Sequence, residues 1–177
     1  MSASSKEHKA SAPKLLGFAS IAVSSSRYEG IKSGETVDDP SGNAIATLIE
    51  KAGFKIVHRA TVSDNKDQIM GAVTNALNDP NVDVIITYGG TGISKSDVTI
   101  ETLNPMFEKN IPGFGELLRK ISFDEIGSAS ILTRATAGVV KGKVVFCLPG
   151  SKQAVETAMK YLILPESAHI IKHIREK

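Results

Sequence analysis

The sequence predicts an α/β fold: one doubly wound, mostly parallel sheet with helices on both faces. Apolar runs of strand length alternate along the chain with segments of helical periodicity, which is the order that parallel β–α–β units require. The 177 residues are enough for one core, and they contain no internal repeat, low-complexity segment or inter-domain linker. We therefore expect a single domain over residues 14–177, preceded by a disordered N-terminal arm at 1–13.

The first part of the chain supplies two predicted strands and one helix. An apolar run at 15–23 has strand length, and the polar stretch at 24–42 is expected to be a long loop. A helix is predicted from Ser41, because apolar residues then recur at i, i+3, i+4 and i+7, and Gly53 lies where helices often end. Residues 54–62 form the next predicted strand.

The rest of the chain continues the alternation. A helix is predicted from Asp64, with an apolar face that includes Ile69 and Met70. The run at 82–88 is rich in β-branched residues and is the clearest buried strand. The remaining predicted elements are helices from Thr99 and Pro112, a strand at 143–148, a helix directly after it, and a last helical piece beyond Pro165.

Composition excludes several classes of partner. The formal net charge is +2, so we expect neither nucleic acid nor a membrane surface among the partners. No apolar stretch approaches the roughly 18 residues that a transmembrane helix needs. The single cysteine, Cys147, lies in an apolar run and makes no disulfide framework. This indicates a reducing compartment, and we expect a cytoplasmic protein.

Two glycine-containing junctions predict a ligand site. The sequence TYGGTGISKSDVT at 87–99 places Gly89, Gly90 and Gly92 directly after a strand, and LPGS at 148–151 is a second strand–turn–helix junction. At the carboxyl edge of a parallel sheet, bare backbone N–H groups and helix N-termini favour a phosphate-bearing ligand. Neither junction matches G-x-G-x-x-G or a Walker A loop. The alternative is that these glycines only form tight turns.

Two aspartates are the candidate metal ligands. Asp64 follows the strand at 54–62 and Asp97 follows the glycines, so both should emerge at the same edge of the sheet. A carboxylate beside a phosphate is unfavourable unless a cation lies between them, and Mg²⁺ binds carboxylates together with substrate phosphates. The alternative is a structural role, with Asp64 and Asp67 at the start of one helix and Asp97 capping another.

Three segments, in the same order along the chain, resemble motifs of one known family. TYGGTGISKSDVT, IPGFGELLRKIS and ILTRATAGVVKGKVVFCLPGS are similar to the MoaB/MogA group of molybdopterin adenylyltransferases and to the G domains of gephyrin and the plant Cnx proteins. The resemblance covers nearly the whole chain from residue 14 and leans toward the MoaB side. It implies Mg²⁺-dependent adenylylation of molybdopterin by ATP, with release of pyrophosphate and without a protein nucleophile.

The resemblance also assigns roles to individual residues. Asp64 and Asp97 match the family's essential aspartates, which implies that they are catalytic and bind Mg²⁺. Thr133 stands where the family has the serine of an LSR motif, and it keeps the hydroxyl group. The residues implied to bind molybdopterin or its phosphates are Gly89, Gly90, Thr91, Gly92, Ser122, Thr133, Gly150 and Ser151.

The activity of this particular chain has an alternative. The family often has an arginine before the second aspartate and a proline after DVT, whereas this chain has Ser96 and Ile100, with Lys95 as a replacement phosphate contact. The alternative is a catalytically silent molybdopterin-binding or scaffold protein of the same pathway. The resemblance further implies a homo-oligomer, either a trimer or a hexamer, and contacts with other proteins of molybdenum cofactor biosynthesis.

Structural interpretations are favoured for the histidines and for the cysteine. His58 lies in a strand pattern and is expected to pack or to lie at an edge. His169 and His173 have the i, i+4 spacing that can bind a metal, but no H-E-x-x-H motif accompanies them, so a solvated helix face is favoured. Cys147 is expected to be a small core residue. Arg119 is a candidate phosphate contact, with a solvated helix face as the alternative.

Overall fold

The computed structural model describes residues 13–176, so the N-terminal arm predicted at 1–13 lies, except for Pro13, outside the described residues. Within this part of the chain, six strands form one sheet. In chain order they are β1 (Gly17–Val23), β2 (Lys55–Val62), β3 (Val84–Tyr88), β4 (Lys109–Asn110), β5 (Thr136–Val140) and β6 (Lys143–Leu148). Their order across the sheet is β2-β1-β3-β6-β5-β4.

The sheet is parallel over four of its strands. β1 pairs in parallel with β2 and β3, and β3 pairs in parallel with β6, whereas β5 is antiparallel to both β6 and β4. Lys141 and Gly142 join β5 to β6 as a two-residue turn in which both φ angles are positive, 49° and 73°, as tight hairpins require. The predicted fold class is confirmed, but β4 and β5 are strands that the sequence pattern does not predict.

Helices connect and cover the strands. Among residues 13–176 they are α1 (Ser25–Lys32), α2 (Pro40–Lys51), α3 (Lys66–Asn78), α4 (Thr99–Leu103), α5 (Pro112–Ile126), α6 (Lys152–Ala158) and α7 (Leu164–Arg175). A π-helical turn (Met159–Ile163) joins α6 to α7, and Pro165 lies in the first turn of α7, so the chain stays helical there. No helix of the described part is long and apolar enough to span a membrane.

Each face of the sheet has its own hydrophobic core. Alternate side chains of a strand point to opposite faces. On one face Phe18, Ile86 and Phe146 pack with buried residues of α2, α5, α6 and α7. On the other face Ile21 and Val145 pack with buried residues of α3 and α4. This is the doubly wound arrangement, in which ligands bind at the carboxyl ends of the strands.

Two local predictions are wrong. Helix α1 replaces the first part of the loop predicted at 24–42; Ser24 caps it by accepting a hydrogen bond from the N–H of Arg27, and none of its residues is buried. Because α1 has no buried apolar face, helical periodicity does not reveal it. Met70 is 43% exposed and does not belong to the buried face of α3.

Candidate active site

The junctions that follow β3 and β6 touch each other at the carboxyl edge of the sheet. Gly89 has a φ angle of +98°, and a Cβ atom on it would lie 2.2 Å from the carbonyl oxygen of Val23. A Cβ atom on Gly150 would lie 3.2 Å from the Cα of Gly89, and the carbonyl oxygen of Gly150 accepts from the Ser41 hydroxyl at 2.8 Å. Only glycine fits at position 89, since both the backbone angle and the nearness of β1 exclude a side chain.

Asp64 lies beside the glycine loop, which we define as residues 89–92. The N–H and the hydroxyl group of Ser25 each donate to its Oδ2 atom at 2.8 Å, and the N–H of Asp64 donates to the Ser25 hydroxyl at 3.0 Å. These bonds tie the end of β2 to the first turn of α1. A Cβ atom on Gly90 would lie 2.9 Å from Oδ1 of Asp64, so this oxygen faces the loop.

The alternative that Asp64 caps α3 is wrong. Asn65 is the N-cap, and its side chain accepts from the N–H groups of Asp67 and Gln68 at 3.0 and 3.1 Å. Asp67 lies in the first turn of α3, as the pattern predicts. Asp64 is therefore not needed to begin α3, and its carboxylate is held by α1 at the edge of the sheet.

Asp97 contacts the end of the glycine loop. Its Oδ2 atom accepts from the N–H and the hydroxyl of Ser94 at 2.9 and 2.6 Å, and a Cβ atom on Gly92 would lie 2.7 Å from it. The Ser94 hydroxyl, helped by the N–H groups of Ser94 and Gly92 and by the charge of Arg134, holds the pKa of Asp97 below its ordinary value despite some desolvation. Val98 is the N-cap of α4, so the alternative that Asp97 caps this helix is wrong.

Hydrogen bonds from α4 fix the glycine loop. The hydroxyl of Thr99 donates to the carbonyl oxygen of Gly89 at 2.9 Å, and its N–H donates to the carbonyl oxygen of Gly90 at 2.9 Å. Thr91 is buried, at 4% exposure, whereas the three loop glycines are partly exposed. The loop therefore presents its backbone to a ligand more than its threonine side chain.

Arg134 is a residue of the site that the sequence pattern does not reveal. Its guanidinium donates to the carbonyl oxygen of Gly92 at 2.6 Å and forms an ion pair with Glu101 of α4. The hydrogen bond from Arg134 also holds the pKa of Glu101 below its ordinary value. Arg134 follows Thr133 in the LTR segment, but only the fold brings it to Gly92, 42 residues away.

Three predicted ligand-binding hydroxyl groups meet beside the junction that follows β6. Ser122 of α5, Thr133 and Ser151 line one cavity of about 180 Å³, together with apolar side chains such as Leu132. Ser151 is also the N-cap of α6, where its hydroxyl accepts from the N–H of Ala154 at 3.3 Å. We call this cavity the hydroxyl pocket. The fold brings together residues that the sequence keeps in three separate segments.

A second cluster that the sequence pattern does not reveal joins β3 to α2. The Tyr88 hydroxyl donates to Oδ2 of Asp39 at 2.6 Å, and Asp39 caps α2 by accepting from the N–H of Gly42 at 3.0 Å. Arg27 and Arg59 lie 3.7 and 3.8 Å from the same carboxylate. Burial, together with Asp39, raises the pKa of Tyr88 above its ordinary value, so the hydroxyl remains a donor. The cluster fixes the segment DDPSG, residues 38–42, next to the carboxyl edge of the sheet.

Two aspartates are the candidate metal ligands at this edge. Asp64 and Asp97 flank one loop, the first at Gly90 and the second at Gly92. Over residues 13–176, no group of three or more His, Cys, Asp or Glu side chains is arranged to hold a metal ion. A cation between these carboxylates would therefore take further ligands from a bound substrate or from water, which is how Mg²⁺ usually binds.

The fold and the groups at the carboxyl edge of the sheet together define a class of protein. The molecule is a doubly wound α/β protein with a glycine loop, flanking carboxylates and a hydroxyl pocket at the carboxyl edge of its sheet, where such folds bind ligands. The chain belongs to the family described as the probable molybdopterin binding domain, which matches residues 19–169. The predicted relationship to the MoaB/MogA group is confirmed.

Relatives resemble the chain over nearly its whole length. It is 43% identical to molybdenum cofactor biosynthesis protein B of Bacillus subtilis, with 97% of each chain covered. It is 41% identical to a molybdopterin adenylyltransferase of Pyrococcus furiosus, with 97% of this chain and 98% of that protein covered. The crystal structure of the tungsten cofactor synthesizing protein MoaB from Pyrococcus furiosus superposes with a TM-score of 0.83 at 41% identity, covering 93% of this chain and 100% of that one.

Proposed function

We propose that the protein transfers the adenylyl group of ATP to molybdopterin in a Mg²⁺-dependent reaction, giving adenylyl-molybdopterin and pyrophosphate. The observation that carries the proposal is the contact between the two junctions, in which the carboxylate-flanked glycine loop adjoins the hydroxyl pocket at Gly89 and Gly150. A reaction that joins two phosphate-bearing substrates needs two binding places side by side. The adenylyltransferase name of the Pyrococcus relative supports the same reaction.

The transfer needs no covalent intermediate on the protein. An oxygen of the terminal phosphate of molybdopterin attacks the α-phosphorus of ATP, and the bond from that phosphorus to the bridging oxygen breaks, so that pyrophosphate leaves. Positioning and charge stabilisation are the main contributions of a protein to such a step. Cys147 would be unsuited as a nucleophile, since it is fully buried and burial raises the pKa of its thiol to about 12.

Asp64 and Asp97 are the proposed ligands of Mg²⁺. Ser25 donates to Oδ2 of Asp64, which leaves Oδ1 facing the glycine loop, and the lowered pKa of Asp97 keeps that carboxylate ionised at neutral pH. Carboxylate oxygens are ligands that suit Mg²⁺. When bound, the ion would neutralise negative charge on the phosphates. Arg134 holds the glycine loop, which these two carboxylates flank, through its bond to Gly92.

The hydroxyl pocket is the proposed molybdopterin side of the site. Ser122, Thr133 and Ser151 offer hydroxyl groups that can both donate and accept hydrogen bonds. Apolar side chains in the same wall, Leu132 and Ile126, give contact area for a ring system. Thr133 stands where the family resemblance implies a serine, and it has a hydroxyl group as serine does, so it supports the same hydrogen bonding in the pocket.

Exposed apolar side chains beside the hydroxyl pocket support a homo-oligomer. Those on α5 and the turn after it that lie outside the pocket, all between 50% and 82% exposed, are Leu117, Phe123 and Ile131. Apolar patches of this kind are typical of contact surfaces. Light scattering should give the mass of three or six chains of 18.8 kDa, and Ile131→Glu should reduce it. The mass of one chain for the unsubstituted protein would contradict the proposal.

Pyrophosphate release tests the proposed activity. The protein is incubated with ATP and purified molybdopterin, with and without Mg²⁺, and each substrate is omitted in turn. We expect release only when both substrates and the metal are present. Molybdopterin binding without any release would instead assign the protein to the silent binders, for which Ser96, in place of the family's arginine, is the observation in favour.

A further inference from the structure

Two histidines of α7 face each other at the edge of the sheet opposite the candidate active site. The Nε2 atoms of His169 and His173 lie 2.8 Å apart, and their ring centroids are 4.6 Å apart. Arg175, further along the helix, forms an ion pair with Asp83, which directly precedes β3. This end of α7 therefore lies at the amino ends of the strands, whereas the glycine loop lies at the carboxyl ends.

A carboxylate lies beside the Nδ1 atom of each ring. Nδ1 of His169 lies 3.1 Å from Oε2 of Glu166, and Nδ1 of His173 lies 2.8 Å from Oε2 of Glu176. An ionised carboxylate can only accept a hydrogen bond, so each Nδ1 carries a proton and donates it. In a neutral imidazole the Nε2 atom then carries a lone pair. Two lone pairs thus point at each other, which is repulsive unless a positive charge lies between them.

We propose that His169 and His173 bind a divalent transition-metal ion, with Glu166 and Glu176 orienting the two rings. Such ions favour imidazole nitrogen, and metal-binding histidines almost always donate their other N–H to a carboxylate, a carbonyl group or water. The spacing agrees, because two metal–nitrogen bonds of about 2.0–2.1 Å at a right angle place the nitrogens about 2.9 Å apart. Right angles of this kind occur around Ni²⁺ and Cu²⁺ in tetragonal sites.

The surroundings have room for the rest of a coordination shell. Both histidines line a cavity of about 620 Å³ between α7 and the β4–β5 edge. Glu108 lines another wall of this cavity, and the N–H of Lys141 donates to its carboxylate at 2.8 Å. Since the described part of the chain holds no metal-binding group of three or more such side chains, water supplies the remaining ligands. The site is open, and its ion exchanges with solvent.

Metal titration of the full chain tests the proposal. The chain has four histidines, so His8→Ala and His58→Ala provide a background in which only the α7 pair remains. Calorimetric titration should show one Cu²⁺, Ni²⁺ or Zn²⁺ ion per chain, with Cu²⁺ bound most tightly, and no binding of Mg²⁺ at this site. The electron paramagnetic resonance spectrum of the Cu²⁺ form should show coupling to two imidazole nitrogens.

Variants of the pair and of its carboxylates complete the test. His169→Ala and His173→Ala should each weaken binding by more than the roughly 10-fold expected for Glu166→Gln or Glu176→Gln, which remove only an outer partner. Circular dichroism verifies that each variant is folded. No saturable binding of Cu²⁺, Ni²⁺ or Zn²⁺ would overturn the proposal. Unchanged binding when His169 and His173 are both replaced by alanine, or one ion for every two chains, would also overturn it.

Discussion

The junction after β3 and the junction after β6 lie side by side at one edge of the sheet, yet their chemistry differs. The first holds two carboxylates, Asp64 and Asp97, against a loop whose first two glycines have positive φ angles. The second adjoins a pocket lined by the hydroxyl groups of Ser122, Thr133 and Ser151. Carboxylates favour cations and repel phosphate, whereas hydroxyl groups bind polar ligands directly.

This difference divides the proposed reaction between two places. Substitution of Asp64 or Asp97, which flank the loop of the β3 junction, should remove metal-dependent turnover, because these residues are the proposed ligands of Mg²⁺. Substitutions at the hydroxyl pocket should weaken the binding of molybdopterin, because Ser122, Thr133 and Ser151 offer hydrogen bonds to it. The adjacency of Gly89 and Gly150 then brings the two substrates together.

Loss of either carboxylate should have the largest effect. Asp64→Asn and Asp97→Asn keep the size of the side chain but remove its charge, so each should lower Mg²⁺-dependent pyrophosphate release by about 100-fold or more. Asp67→Asn is the matched control, since Asp67 is exposed in the first turn of α3, and it should change the rate less than about twofold. Full activity of Asp64→Asn or Asp97→Asn would remove the carboxylates from the mechanism.

A methyl group at Gly89 should have the next largest effect, on stability. Gly34 and Gly89 both have positive φ angles, 84° and 98°. A Cβ atom on Gly34 would have no neighbour within 4 Å, whereas a Cβ atom on Gly89 would clash with the carbonyl oxygen of Val23. Gly34→Ala should therefore lower the free energy of unfolding by about 1 kcal/mol. Gly89→Ala should lower it by about 2 kcal/mol more in urea denaturation. Equal losses would show that close packing of the junction is unimportant.

Substitution of Arg134 should have a smaller effect on turnover, and this effect should be confined to the function of the β3 junction. Arg134→Ala removes the hydrogen bond to Gly92 and the ion pair with Glu101, so we expect turnover to fall about 10-fold with little change in molybdopterin affinity. Arg175→Ala removes an ion pair at the opposite edge of the sheet and should leave both quantities unchanged. A loss of molybdopterin affinity in Arg134→Ala would mean that the two junctions are not separable.

Cys147, which lies near the end of β6, should take no part in the proposed reaction. Burial raises the pKa of Cys147 to about 12, so at pH 8, below this value, the group remains a protonated thiol. Ellman's reagent should therefore leave the native protein unmodified and react with one thiol per chain in guanidinium chloride. Rapid reaction of the native protein, with loss of turnover, would place a nucleophile next to the hydroxyl pocket.

Sequence patterns predict the elements that bury apolar side chains. β1 and β3 are buried throughout and β6 is buried except at Lys143, and all three lie where the apolar runs predict. Helix α1 buries no residue, so it has no periodic pattern to detect. β5 is short and contains Gly138, and its pairing with β4 and β6 makes it a strand. Whether a segment such as β5 forms a strand depends on its pairing with neighbouring strands, which the local sequence does not encode.

The candidate site is predictable to a similar degree. The glycine loop and the residues of the hydroxyl pocket follow from motifs, because each lies in a short recognisable segment. Arg134 and the Tyr88–Asp39 hydrogen bond do not, since each joins segments more than 40 residues apart. The capping roles considered for Asp64 and Asp97 are wrong for a local reason, as Asn65 and Val98 occupy those positions.

The affinity of molybdopterin for Ser122→Ala and for Asp97→Asn, measured by fluorescence titration in the absence of ATP and Mg²⁺, tests the division between the two junctions. We expect Ser122→Ala to bind molybdopterin about 10-fold more weakly, as the loss of a hydrogen bond of about 1.4 kcal/mol requires. Asp97→Asn should bind it as the unsubstituted protein does, within about twofold. Equal losses in the two variants, or a loss in Asp97→Asn alone, would contradict this division.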